Sequence, residues 1–202
     1  MADMMKHLPL TDLVPPGRHG RMDGPAGVTL GLVRGLGAAI VNARRTGQPE
    51  PAFEHSFGIT LPNGPKAASR DGLTAIGIGP RRWLVFCAPA TGDELAARLE
   101  GAVGGHAALT DQSDAYLVFE LSGLHARDAL AKMCTLDLDP VAFGPGDAAT
   151  TSMAFVGVTL WQTDAAPTYR LAVGRSFAPS FLRAFTAGAA QYGLFVEGTG
   201  RG

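Results

Sequence analysis

DQSDAYLVFELSGLHARDALAKMCTLDLDPVAFGPGD, residues 111–147, decides the fold. Its first third is a strand pattern rich in Tyr, Val, Phe and Leu. Ala126, Leu130 and Met133 then repeat at helical spacing, and Ser122 is placed to cap that helix. Asp128 and Lys132 stand four apart, suited to an ion pair on its surface. Pro140 and the FGPGD run form a long connection. Strand, helix and loop follow one another without a nucleophile–base pair, a metal cluster or a phosphate loop. Organisation is dense and chemical apparatus sparse.

Working outward, residues 152–162 (SMAFVGVTLWQ) and 168–174 (TYRLAVG) read as two strands joined by a polar turn at residues 164–167. A helix follows, with Phe177, Phe181 and Phe185 along one stripe and Leu182 widening it. Gly193 stops it, and GLFV adds a terminal strand. On the N-terminal side, VTLGLV (residues 28–33) and GAAIVNA (37–43) read as strands. Residues 46–53 read as a loop and SFGITLP (56–62) as a strand, ended by the Pro62, Asn63, Gly64, Pro65 turn cluster. LTAIGIG and RRWLVFCA form a hairpin across Gly79 and Pro80. Thr91 caps a helix presenting Leu95, Leu99 and Val103 on one face.

Helices that return repeatedly to mostly antiparallel strands make an α+β fold rather than a doubly wound sheet. We expect an extended arm over residues 1–27 and two small related subdomains, 28–110 and 111–202. The arm, with its Pro and Gly, has no core of its own. It is either disordered or laid over a neighbouring surface.

Composition narrows the function classes. Of 202 residues, 46% are hydrophobic and only 17% charged, against about 25% charged in a typical soluble domain. Such a pale surface suits coverage by a partner, although an Ala- and Gly-rich drift gives the same figure. With net charge -1 and no long basic run, the chain lacks the field needed to grip nucleic acid. No leader-like or membrane-spanning stretch is evident, and Cys87 and Cys134 sit in apolar contexts that favour buried free thiols, so a cytoplasmic setting is expected.

His7, His19, His55, His106 and His125 are scattered, without metal-ligand spacing. Asp111, Asp114 and Glu120 form either a pair of working carboxylates or, as DQSD, a hairpin turn whose Asp and Ser accept backbone bonds; the turn is favoured. Gly31, Gly35 and Gly37, and Gly77 with Gly79, lack the spacing of nucleotide loops. Arg81 and Arg82, before a buried strand, suit either an anion clamp or a subunit contact, and Arg175 at a helix start offers the same choice. We take these three arginines as interface candidates. No catalytic, cofactor-binding or metal-binding residue is assigned.

DQSDAYLVFELSGLHARDALAKMCTLDLDP, FGPGDAATTSMAFVGVTLWQ and TYRLAVGRSFAPSFLRAF, with GPRRWLVF upstream, resemble the gamma subunits of heterotetrameric sarcosine oxidases. More distantly, the strand–LSG–helix–LDLDP–PGD–strand order resembles the folate-binding domain of the aminomethyltransferase family. The first resemblance implies a complex with alpha, beta and delta subunits. That complex turns sarcosine, tetrahydrofolate and oxygen into glycine, 5,10-methylenetetrahydrofolate and hydrogen peroxide. It implies FAD in beta, FMN at the alpha–beta contact, NAD in alpha and zinc in delta, with no cofactor on this chain. The second resemblance implies a carboxylate near residues 158–160 for the folate amine. Val158, Thr159 and Leu160 supply none, and Asp164 comes only at the next turn. A stand-alone folate-dependent transferase or folate-binding protein is the alternative, with Asp111, Asp114 or Asp164 as its candidates.

Overall fold

Period-two alternation of apolar side chains builds two sheets that are covered on both faces. In the computed structural model, which describes residues 14–198, the strands are β1 (Gly17–His19), β2 (Val28–Val33), β3 (Gly37–Ala43), β4 (Ala67–Arg70), β5 (Leu73–Gly79) and β6 (Arg82–Cys87). They continue as β7 (Ala107–Asp111), β8 (Tyr116–Ser122), β9 (Ala148–Met153), β10 (Val156–Asp164), β11 (Thr168–Gly174) and β12 (Leu194–Val196). The helices are α1 (Pro49–Phe57), α2 (Gly92–Val103), α3 (Ala126–Ala131) and α4 (Ala178–Ala189).

A seven-stranded sheet runs in the order β1-β12-β2-β8-β11-β10-β9, and a five-stranded sheet in the order β4-β5-β6-β3-β7. All pairings are antiparallel except β12 with β2. The architecture is four layers. Phe119, Leu121, Leu160 and Leu171 turn outward from the larger sheet onto Leu130 of α3 and Phe181 and Phe185 of α4. Val41, Trp83 and Val85 turn outward from the smaller sheet onto Phe53 of α1 and Leu95 and Leu99 of α2. Their neighbours one residue along, Ile40, Leu84, Phe86, Val118, Trp161 and Ala172, meet between the sheets. Coverage of both faces explains why WLVFC, residues 83–87, is an unbroken apolar run. This is the α+β fold expected, with helices on one face of each sheet.

Several local readings change. Residues 46–53 do not form a loop: α1 begins at Pro49, where a missing N–H costs nothing in the first turn, and ends at Gly58 in the left-handed region (φ 63°). The strand expected over 56–62 is therefore absent. Ile59 and Leu61 are buried from an extended segment that joins neither sheet. Thr91 does cap α2, its Oγ accepting the Glu94 N–H while the Glu94 carboxylate accepts the Thr91 N–H. Ser122 is not the cap of α3, whose N-cap position is His125. Gly123 (φ 113°) turns the chain first, and the short α3 starts after His125. Asp128 pairs with His125, at 2.8 Å, and not with Lys132.

Residues 152–162 are not one strand. A tight turn at Ala154 (φ 48°) and Phe155 (φ 68°) splits them between β9 and β10. DQSD is a turn but not a hairpin, because β7 lies in the smaller sheet and β8 in the larger. Phe181 and Phe185 are fully buried, whereas Phe177 sits in the preceding 3-10 turn and is 58% exposed. β2, from the first half of the sequence, pairs with β8 in the larger sheet. Of the arm, residues 1–13 lie outside the described residues; Gly17–His19 pair with β12, and Val14 is buried against the larger sheet's core.

Candidate functional site

Each carboxylate weighed from the sequence has its own structural partner. Asp111 Oδ1 accepts from the Ser113 hydroxyl (2.6 Å) and the Ser113 N–H (2.9 Å), and these two bonds hold its carboxyl below the usual range. Asp114 is fully exposed and pairs with Arg175 at 3.5 Å. Glu120, on β8, pairs with Arg170 of β11 at 2.9 Å. Asp164 closes the β10–β11 turn, accepting from the N–H groups of Ala166 (2.9 Å) and Thr168 (3.0 Å). Desolvation opposes its ionisation, but the bonds from Thr168, Ala166 and Thr163 together outweigh it and lower the pKa. These groups are not brought together as an acid–base pair.

The histidines also stand apart. His19 contacts the Pro15 carbonyl (2.6 Å), His106 faces the Gln48 N–H (3.4 Å), and His125 stacks on Tyr192. His55 lies in the last turn of α1, and His7 falls outside the described residues. No group of three His, Cys, Asp or Glu among the described residues is placed to hold a metal. Cys87 and Cys134 are both buried and unpaired. They belong to different cores, and burial pushes the Cys134 thiol up.

Residues 158–160, where the aminomethyltransferase resemblance calls for a carboxylate, are structural. Val158 and Leu160 are buried in the larger sheet's core against the helices. Thr159 turns the other way and shares a 3.2 Å hydrogen bond with Thr150 of the neighbouring β9. Thr150 forms part of the wall of a cleft of about 760 Å³, together with Leu61, Pro62, Pro65, Ile78 and Trp83. The Trp83 indole N–H donates to the Pro62 carbonyl (2.8 Å), which fixes one side of the cleft. The carboxylate in this wall comes from Glu50 of α1. Sequence reasoning missed Glu50 because it treated its segment as loop; Pro49 in a first helical turn was the available signal.

The arginine candidates divide. Arg81 sits at the second position of the two-residue β5–β6 turn with φ 54°, and its guanidinium donates to the carbonyls of Arg45 (3.3 Å) and Gly47. Arg82 opens β6 and is exposed, with no hydrogen-bond or ion-pair partner among the described residues. Arg175 donates to the Asp114 carbonyl (2.7 Å) as well as pairing with its carboxylate, and so ties the 3-10 turn before α4 to the β7–β8 connection.

Among the described residues, no helix is long and apolar enough to cross a membrane. Solved structures with this architecture include a chain of the heterotetrameric sarcosine oxidase from Corynebacterium sp. U-96 in complex with pyrrole 2-carboxylate. It aligns with TM-score 0.74 and 26% identity over 86% of this chain and 88% of that one. The glycine cleavage system aminomethyltransferase T from Bartonella henselae aligns over 86% of this chain and 48% of its own, with TM-score 0.60; at 12% identity it shares the fold alone. Sarcosine oxidase subunit gamma of Corynebacterium sp. (strain P-1) is 40% identical over 115 residues, 55% of this chain and 56% of that protein. Its counterpart in Arthrobacter sp is 36% identical with the same coverage. The matched segment thus spans little more than half the length of these relatives. A family model matches residues 49–191, most of the sequence. The chain belongs to the sarcosine oxidase, gamma subunit family.

Proposed function

We propose that this chain is a non-catalytic structural subunit of a heterotetrameric, flavin-dependent sarcosine oxidase. Its partners are the alpha, beta and delta subunits. The complex oxidises sarcosine with oxygen and passes the one-carbon unit to tetrahydrofolate, giving glycine, 5,10-methylenetetrahydrofolate and hydrogen peroxide in the cytoplasm. In this reading FAD, FMN, NAD and zinc reside in the other subunits.

The observation that carries the proposal is the fate of residues 158–160. An aminomethyltransferase-like scaffold is kept, but the strand position expected to hold a working carboxylate presents Val158 and Leu160 to the core and Thr159 to Thr150. Asp111 and Asp164, two of the alternatives, bind their own turns. Arg82 and Arg175 remain interface candidates, with Arg81 acting through the loop it holds. The same reading takes residues 28–110 and 111–202 as two units behind an arm over 1–27. In support, each sheet draws most of its strands from one half, with β2 lent across.

The test is expression of the chain alone and together with the larger chains of its complex, measuring particle size, flavin absorbance and tetrahydrofolate binding. We expect flavin-containing complexes only on co-expression, with no folate bound by the isolated chain. Tight folate binding by the isolated chain, abolished by replacing Asp111, Asp114 or Asp164, would establish the transferase alternative instead.

A further inference from the structure

Four arginines converge where β3 ends and β6 begins. The pairing of Asn42 with Arg82 sets the two strand ends side by side, and the Ala43 N–H donates to the Arg81 carbonyl (3.1 Å). Arg44 and Arg45 therefore leave the sheet beside Arg81 and Arg82. All four are exposed, in a chain whose net charge is -1. The carboxylates near this end are Glu50, beside Arg81 in the cleft wall, and Glu100, beside Gly104 at the end of α2. Neither is in an ion pair among the described residues.

The four guanidiniums do different things. Arg44 reaches back to the Gly104 carbonyl (3.4 Å), and Arg81 to those of Arg45 and Gly47. Arg45 and Arg82 have no hydrogen-bond or ion-pair partner among the described residues. The loop carrying Arg45 is fixed at several points: the Arg44 N–H donates to the His106 carbonyl (2.8 Å) and the Gly47 N–H to the Arg44 carbonyl (3.0 Å). A Cβ at Gly47 would run into the His106 carbonyl, so the loop packs there without slack. Arg81 adopts a left-handed backbone that glycine would take without strain. What glycine would lose is the latch on residues 45–47.

We propose that this arginine end docks an acidic segment of a partner chain in the assembly, with Arg45 and Arg82 pairing its carboxylates and Arg81 as a positioning residue for the loop. The inference rests on the subunit reading above and names one of its contact surfaces. Planar guanidiniums favour bidentate carboxylate contacts, and arginine is enriched in interfaces. A loop already held in place loses little conformational freedom on docking. Four arginines at one end of a chain with no other basic run make a local footprint, too small for a nucleic-acid track.

The experiment is co-expression of the larger chains with the wild-type chain, with R45E/R82E, with R45Q/R82Q and with R81G, followed by titration of complex formation at low and high salt. We expect charge reversal to weaken association by roughly tenfold or more at low salt and to reduce or reverse its salt dependence. The glutamine pair, which introduces no repulsion, is expected to give a smaller loss in the same direction and guards against misfolding of the reversed variant. R81G should weaken association while leaving the urea midpoint of the free chain unchanged or raised. A wild-type chain that forms no complex overturns both readings. A wild-type complex that R45E/R82E and R45Q/R82Q leave equally tight, with unchanged salt dependence, overturns this one alone.

Discussion

Trp161 of β10 lies over Phe86 of β6, with ring centroids 5.7 Å apart and planes 13° from parallel. The two rings stack between the sheets, and Tyr116 meets the same Phe86 edge-on, at 6.4 Å. The Trp161 indole N–H is buried with no acceptor among the described residues. Burial of ring surface therefore carries this residue, against the cost of its unpaired N–H.

Trp161→Ala should accordingly cost about 3–5 kcal/mol, the range for removing a large buried aromatic. Trp161→Phe keeps a ring against Phe86 and removes an unpaired donor, so its cost should be clearly smaller than that of Ala. Equilibrium urea denaturation of both variants checks this. Equal losses for the two would show that ring stacking does not hold the sheets together.

The Ala154 and Phe155 turn invites a stabilising change. Two consecutive left-handed residues without glycine carry strain, and Phe155 is fully exposed, so it buries nothing in return. Replacing the pair with Asn-Gly, the sequence such two-residue turns favour, should stabilise the chain by about 1 kcal/mol. For a chain of this size that raises Tm by about 2–4 °C. A Tm that falls would mean that the turn draws on contacts of the two side chains.

Asp147 links the two sheets at their edges, facing Lys66 across the bridge between β4 and β9. The Gly144 N–H (2.9 Å) and then the Lys66 ammonium hold its carboxyl below the usual range. A lowered folded-state pKa means that its stabilising effect is complete above the unfolded value, about 3.9, and fades as pH falls through the folded value. Asp147→Asn should thus be destabilised most near neutral pH, and its gap to the wild type should begin to close only once pH falls below about 4. Urea midpoints measured from pH 7 down to pH 3 read this directly; a constant gap would remove the carboxylate from the account.

Thr91 and Glu94 satisfy each other's backbone N–H groups at the start of α2. Thr91→Ala should cost about 1 kcal/mol, while Thr91→Ser, which keeps the oxygen, should cost far less. Matching losses for Ala and Ser would shift the effect from the cap to the lost methyl group.

Local chemistry was legible where it is decided locally. Thr91, Leu95, Leu99 and Val103 announce a capped, one-faced helix, and all three apolar positions are fully buried. LTAIGIG and RRWLVFC announce paired strands and form them. The same logic failed where one pattern has two solutions. Ile59 and Leu61 alternate like a strand but are buried from an extended segment, and Pro49 and Pro51 look like loop residues until a helix begins at them. At the candidate site, the lack of a carboxylate over residues 158–160 was readable as letters. That Glu50 enters the cleft wall, and that Arg81 latches the 45–47 loop while Arg45 and Arg82 have no partner among the described residues, was not, because those positions follow from packing between distant segments.

The sequence by itself determined the Thr91 cap, the buried face of the helix that follows it and the β5–β6 strand pair, since periodicity and capping act over a few neighbouring residues. Its quoted motifs also pointed to the family that the comparisons bear out. Only the tertiary structure decided that β7 and β8 belong to different sheets, that β2 joins the larger one, and that four arginines from two strand ends share one corner. Backbone hydrogen bonds are alike in every strand, so partner choice depends on long-range burial of side chains.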